Sequence, residues 1–345
     1  MKNKKRVRKN NKNIENKKTK IYLIVLAMFL VSLLIGLFVL KVDPLHVQTF
    51  NESSGKFVEI SNPDFDFIES PDLNEGTNVF GMLMNFVFAF MMAIVLILIL
   101  SKIKADFFLR LWFFLVVVFA LYICFYAFQS YFFNLQNNLR ILLPLGLAFI
   151  LSVFKIYKRN ILIHNITELF IYPGIAVIFI SLLNIYSLVV ILILISVYDM
   201  WAVWHTSLMQ KMASYQIQSV GVFGGFLIPY ASKQVKDKIK KLKQKYKSKK
   251  EIPESEIKKQ KISVELAVLG GGDIVFSIIS LGVVYKFLGL IPSLFVGFGA
   301  FLSLVYLFFE SKKKKHESYP AMPFITIGVF LAIILSMIGK FFGFW

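Results

Sequence analysis

Long apolar runs dominate the chain, and polar residues cluster between them. The runs lie near 21–40, 79–100, 107–128, 141–154, 161–181, 185–204, 262–287, 288–309 and 323–342. Most are about twenty residues long. At ~1.5 Å per helical residue that matches a hydrocarbon core of about 30 Å. The pattern predicts nine transmembrane helices in an all-α bundle. Two joins are short, at 181–186 and 286–292. Asn184 breaks the first, and Lys286, Gly289 and Pro292 break the second. The first run is long for a signal peptide and no small-residue cleavage site follows it, so it reads as an anchor.

The polar segments divide the chain further. Residues 1–20 form a basic tail, with ten lysines and arginines against Glu15 alone. That composition predicts disorder. Residues 21–206 hold six predicted spans, residues 207–261 a long loop, and residues 262–345 the last three spans. Within the long loop, the Gly-rich apolar stretch at 213–230 is short for a span and is expected to lie in the interface or re-enter the protein. Residues 233–261 read as a linker, helical at 235–246.

Charge then orients the bundle. Nine spans force the loops to alternate sides. The tail, the segments at Lys102–Lys104, Lys155–Arg159 and Lys312–Lys315, and ten lysines between Lys233 and Lys250 all fall on one side. The loop 41–78 falls on the other, with eight acids against Lys41 and Lys56. Basic loops stay cytoplasmic, so the N-terminus is expected inside and the C-terminus outside.

Composition agrees with the membrane class. Of 345 residues, 57% are hydrophobic and only 17% charged, and mean hydropathy is +0.68. The net charge of +19 is explained by these loops, and no nucleic-acid-binding motif accompanies it. Cys124 is the only cysteine, so no intrachain disulfide is possible; it is expected to pack. The four histidines lack an HExxH spacing, so no metal is implied.

Ionisable groups inside apolar runs are costly and mark function. Asp199 lies about seven residues from the inner end of the sixth run, and Asp273 about eleven from the start of the seventh. At ~1.5 Å per residue their depths are ~10 Å and ~16 Å. Consecutive antiparallel helices would let the two carboxyls face each other. Such a pair shares one proton, so one carboxyl can activate water while the other polarises a peptide carbonyl. Gly270, Gly271 and Gly272 precede the second acid. Each glycine in a helix costs about 1 kcal/mol relative to alanine, and the usual return is close approach of a neighbouring chain. Pro320 and Pro323 flank Ala321 and Met322 at the entry to the last run. Alone, this segment reads as an ordinary helix start.

Tyr198-Asp199, Gly270-Gly271-Gly272-Asp273 and Pro320-Ala321-Met322-Pro323 resemble the YD, GxGD and PAL motifs of presenilin and signal peptide peptidase. Their order, and their placement on runs six, seven and nine, follow that family. The resemblance covers most of the chain after about residue 80. Met322 departs from the family's leucine, a swap that roughly conserves volume. The inferred orientation resembles presenilin, and the composition a microbial homologue. The resemblance implies an intramembrane aspartyl endopeptidase with Asp199 and Asp273 catalytic. Tyr198 and Gly270–Gly272 would belong to its active-site motifs, and Pro320, Ala321, Met322 and Pro323 would position an unwound substrate. No cofactor is implied. The partners would be single-span membrane substrates and the bilayer, with self-association an allowed state.

Rival readings use the same residues. A transporter or cation channel would use the two acids as an ion site, but no inverted repeat is visible. A prepilin-type peptidase also carries a GxGD acid, but nine spans and the proline element argue against it. Other polar residues get structural readings. His164 and Glu168 share a helix face and are expected to pair. His205 and Glu265 reach the interface, and Trp201 and Trp204 belong to an interfacial belt.

Overall fold

The computed structural model describes residues 2–51, 56–65, 106–133, 135, 138–158, 160–204, 224–230, 265–313 and 319–343, with eight isolated positions between 81 and 99. Its helices are α1 (Lys2–Val42), α2 (Asp106–Phe132), α3 (Leu139–Tyr157), α4 (Ile161–Leu182), α5 (Ile185–Trp204), α6 (Gly271–Leu288), α7 (Leu290–Lys313) and α8 (Met322–Phe341). Among the described residues, these eight helices are long and apolar enough to cross a membrane. The second run, 79–100, is described only at those isolated positions, and each of them is helical. The molecule is an all-α, multi-pass membrane bundle.

Two expectations about the chain need correction. The basic tail was expected to be disordered, yet α1 is helical from Lys2. Nucleation is the costly step of helix formation. The apolar half of α1 supplies the nucleus, and the lysine-rich half, good helix-forming material, extends it. The seventh run was expected to be helical from residue 262, but α6 begins only at Gly271. Residues Glu265–Gly270 form a strand, β4, paired antiparallel with β3 (Gly225–Tyr230). β3 is the end of the stretch expected to re-enter or lie in the interface. Residues 205–223 and 231–264, including His205 and the expected helix at 235–246, lie outside the described residues. A further antiparallel pair, β1 (His46–Asn51) with β2 (Lys56–Ser61), follows α1.

The short joins have identifiable chemistry. Asn184 caps α5: Ser187 N donates to Asn184 Oδ1 at 2.8 Å, and Asn184 N donates to Ser187 Oγ at 2.9 Å. This reciprocal pair satisfies free groups at the helix start. Between α6 and α7, Gly289 sits at φ 95°, a left-handed conformation that glycine adopts without steric cost.

Close helix contacts hold the bundle. α6 packs against α1, α4, α5, α7 and α8 and is its central post. One apolar core joins Phe29 of α1, Ala176 of α4, Leu188 of α5, Ile278 of α6, Leu304 of α7 and Val329 of α8. A second joins α1, α2 and α4 through Val39, Leu121 and Val177; Cys124 is buried there. Outward faces carry exposed large apolar side chains such as Phe107, Trp112, Phe298 and Leu331. Such a surface suits lipid rather than water.

Candidate active site

The strand–helix junction positions Asp273. Gly270 is the N-cap of α6, with φ −61° and ψ 141°, and is still extended. Gly271 and Gly272 open the helix, and Asp273 is its third residue. An acid at that position reaches back towards the N-cap N–H, and the Asp273 carboxylate does interact with the Gly270 backbone. A Cβ at Gly270 would lie 3.0 Å from Asp273 Oδ2. A Cβ at Gly271 would lie 2.9 Å from Cε1 of Tyr172 on α4. The glycines therefore make a tight corner between strand and helix, where the sequence had suggested a glycine-lined helix interior.

Asp199 is buried near the end of α5, and α8 caps it. Met322, first residue of α8, donates its backbone N–H to Asp199 Oδ2 at 3.1 Å, and the Ala321 backbone also bonds to this carboxyl. Helix starts leave N–H groups without intrahelical partners, and two of them are satisfied by this acid. One turn earlier, Ser196 Oγ and Thr326 Oγ1 share a hydrogen bond of 2.7 Å, fastening α5 to α8.

The two acids thus sit where the N-termini of α6 and α8 meet the end of α5. Positive ends of two helix dipoles point at the pair. The Asp273 carboxyl lies close enough to Asp199 to feel its charge. Pro320, Ala321 and Met322 are buried beside Asp199, and Pro323 stands in the first turn of α8, where a missing N–H costs nothing. Tyr198 is placed differently: it is partly exposed, with its ring 6.5 Å from that of Trp201. Trp201 and Trp204 are exposed, as belt residues would be.

A polar stripe on α4 forms the far wall. The His164–Glu168 pair is present at 3.6 Å. Its third member was misassigned from sequence: Lys155, expected in a basic loop, is buried inside α3 and forms an ion pair with Glu168. The apolar stem of α3 carries it inward, and the Glu168 carboxylate offsets its desolvation. Two further residues, Asn165 and Tyr172, were not singled out from sequence. The ring of Tyr172 packs edge-on against Phe226 of β3 at 5.7 Å. The recurrence of polar side chains at 164, 165, 168 and 172 within an apolar run was the available signal.

Asn165 and His164 hold β3 by its backbone. Asn165 Nδ2 donates to Leu227 O at 2.8 Å, and Leu227 N donates to Asn165 Oδ1 at 2.9 Å. His164 Nε2 lies 2.8 Å from Gly225 O; a carbonyl can only accept, so that nitrogen carries the proton. In an antiparallel ladder, residues alternate between bonding across and pointing away. Leu227 therefore points away from β4, as do Gly225 and Pro229. Opposite them on β4, the outward residues are Gly270, Val268 and Leu266. Gly271 N donating to Gly224 O at 3.3 Å fits this alternation.

No protein-family model matches the sequence, and no curated protein matches it. Solved structures do. One, a presenilin family intramembrane aspartate protease in a C222 crystal form, aligns over 92% of this chain and 98% of its own, with a TM-score of 0.54 and 16% identity. A second such structure, in a P2 crystal form, aligns over 91% and 96%, again with a TM-score of 0.54 and 16% identity. At that identity the likeness is one of architecture, so the chain has the fold of the presenilin-family intramembrane aspartate proteases.

Proposed function

We propose that the protein is an intramembrane aspartyl endopeptidase that hydrolyses peptide bonds within transmembrane helical substrates. The observation that carries this reading is the convergence of Asp199 and Asp273 at the junction of three helix ends, beside an unfinished two-stranded sheet. Two coupled carboxyls can share a single proton. The ionised one takes a proton from water, and the protonated one donates to the scissile carbonyl. The oxygen of that water adds to the carbonyl carbon, and the C–N bond then breaks as the nitrogen takes up a proton. Which acid holds the proton at each step is a property of the pair.

The substrate must be extended to present its bond. β4 offers main-chain groups for this, at Val268 and Leu266, and runs directly into the Gly270–Asp273 corner. An unwound segment added as a third strand would be held by backbone hydrogen bonds. Pro320–Pro323 supports the reading from the other side, because its segment fixes Asp199 through Met322. By the charge pattern, the lysine-rich side would face the cytoplasm.

Purified protein is incubated in lipid nanodiscs with a tagged single-span substrate, and products are followed by mass. Wild type should cleave it. Asp199→Asn and Asp273→Asn should each abolish cleavage while the protein stays folded. Groups that act as a unit are non-additive, so the double variant should be no worse than either single one. Substantial cleavage by either single variant would sink the assignment. No product from wild type over a range of substrates would return the carboxyls to an ion-site role.

A further inference from the structure

At each outward position of β3 at least one backbone group is already engaged or missing. Gly225 O is taken by His164 Nε2. Leu227 spends both backbone groups on the side chain of Asn165. Pro229 has no N–H to offer. An asparagine amide carries one donor and one acceptor on adjacent atoms, the same pair that a neighbouring strand presents at one residue. Asn165 therefore stands in for a single residue of a missing strand. β4 has no counterpart: among the described residues, nothing bonds to the outward groups of Val268 and Leu266.

From this we infer that Asn165, with His164, is a specificity-determining positioning pair that shuts β3 to incoming strands. The inference rests on the protease reading. A two-stranded sheet with two open edges could accept an extended substrate on either one. Only β4 is joined without a break to Asp273, so only pairing there fixes which substrate bond meets the carboxyls. A strand added to β3 would lie one strand spacing, about 4.8 Å, further away. Register in a sheet is weakly specified unless something pins it, and a helix-borne amide pins β3 more rigidly than a flexible loop would. The polar stripe that supplies the pair is anchored below by the Lys155–Glu168 ion pair and above by Tyr172 against Gly271.

Asn165→Leu removes both hydrogen bonds at similar volume. With the nanodisc assay, the expected result is a fall of about tenfold in kcat/KM, the order set by losing a buried hydrogen-bond pair. The single cleavage site should also spread into a ladder of neighbouring products. Asn165→Asp, which keeps the acceptor for Leu227 N–H, should give a narrower ladder. His164→Leu should broaden the products, whereas His164→Gln, which can still donate to Gly225 O, should not. A merely structural contribution would lower the yield of the same product without moving the cut. Unchanged product masses and proportions in folded Asn165→Leu would overturn the inference. A second measurement needs no catalysis: amide hydrogen exchange at Leu227 in the full-length protein should accelerate about tenfold in Asn165→Leu. If Leu227 exchanges at the same rate in both, the clasp is refuted, whether or not the protein cleaves anything. If wild type cleaves nothing while Leu227 responds as expected, the protease reading fails, and with it the inferred role in specificity.

Discussion

Lys155 and Glu168 meet where neither charge reaches water, their side chains each only 2% exposed. Burying two ions costs several kcal/mol apiece, and their attraction only offsets that cost. The pair is therefore fragile in a specific way. Lys155→Met should destabilise the protein by about 3–5 kcal/mol, because it strands a buried carboxyl. Lys155→Met/Glu168→Gln should recover most of the loss, since no uncompensated charge remains. Thermal unfolding in one detergent, compared across the three proteins, checks this. Equal midpoints for wild type and Lys155→Met would mean that His164 alone accommodates Glu168. The sequence announced Glu168 and His164 by their spacing on one face, and both acids of the site by their depth. It hid Lys155, because a lysine two residues from a helix end looks the same whether it snorkels out or turns in.

At the scale of elements, glycine decides how closely helices pack. A Cβ at Gly174 of α4 would lie 1.9 Å from the carbonyl oxygen of Ala120 on α2, and backbone cannot yield as a flexible side chain does. Gly146 in α3 has nothing within 4 Å of such a Cβ. Gly174→Ala should therefore destabilise the bundle by at least about 1–3 kcal/mol through overpacking. Gly146→Ala should be neutral or stabilising by up to about 1 kcal/mol, the ordinary helix-propensity gain. The unfolding midpoint of Gly174→Ala should fall while that of Gly146→Ala holds or rises; a neutral Gly174→Ala would show that α2 and α4 can part without cost. Helix boundaries were legible because apolar length and capping chemistry are local. The strand at 265–270 was not, because its apolar residues suit a helix as well as a strand. Only pairing with β3, some forty residues earlier in the chain, selects the strand. The Gly270–Gly272 corner then follows from where the strand must end. Asn165 escaped notice for the same reason: its partner is backbone, and backbone leaves no mark in the sequence.

For the whole molecule, orientation is the property that fixes which substrates can be met. A cysteine at Ser61, exposed at the end of β2, should react with a membrane-impermeant reagent applied to intact cells. One at Lys245, in the lysine-rich segment, should react only after the membrane is opened. The native Cys124 is buried and should stay silent. The reverse labelling pattern would invert the bundle and the expected polarity of its substrates. The open edge of β4 has a consequence of its own at this scale. Hydrocarbon tolerates no unsatisfied peptide group, each costing several kcal/mol. Among the described residues only solvent is left to serve the groups of Val268 and Leu266, so a thread of water is the expected occupant of the mouth of α6 before any substrate arrives. On the proposed function the edge that would take a guest strand would then also serve as a conduit, keeping the interior of the membrane locally wet.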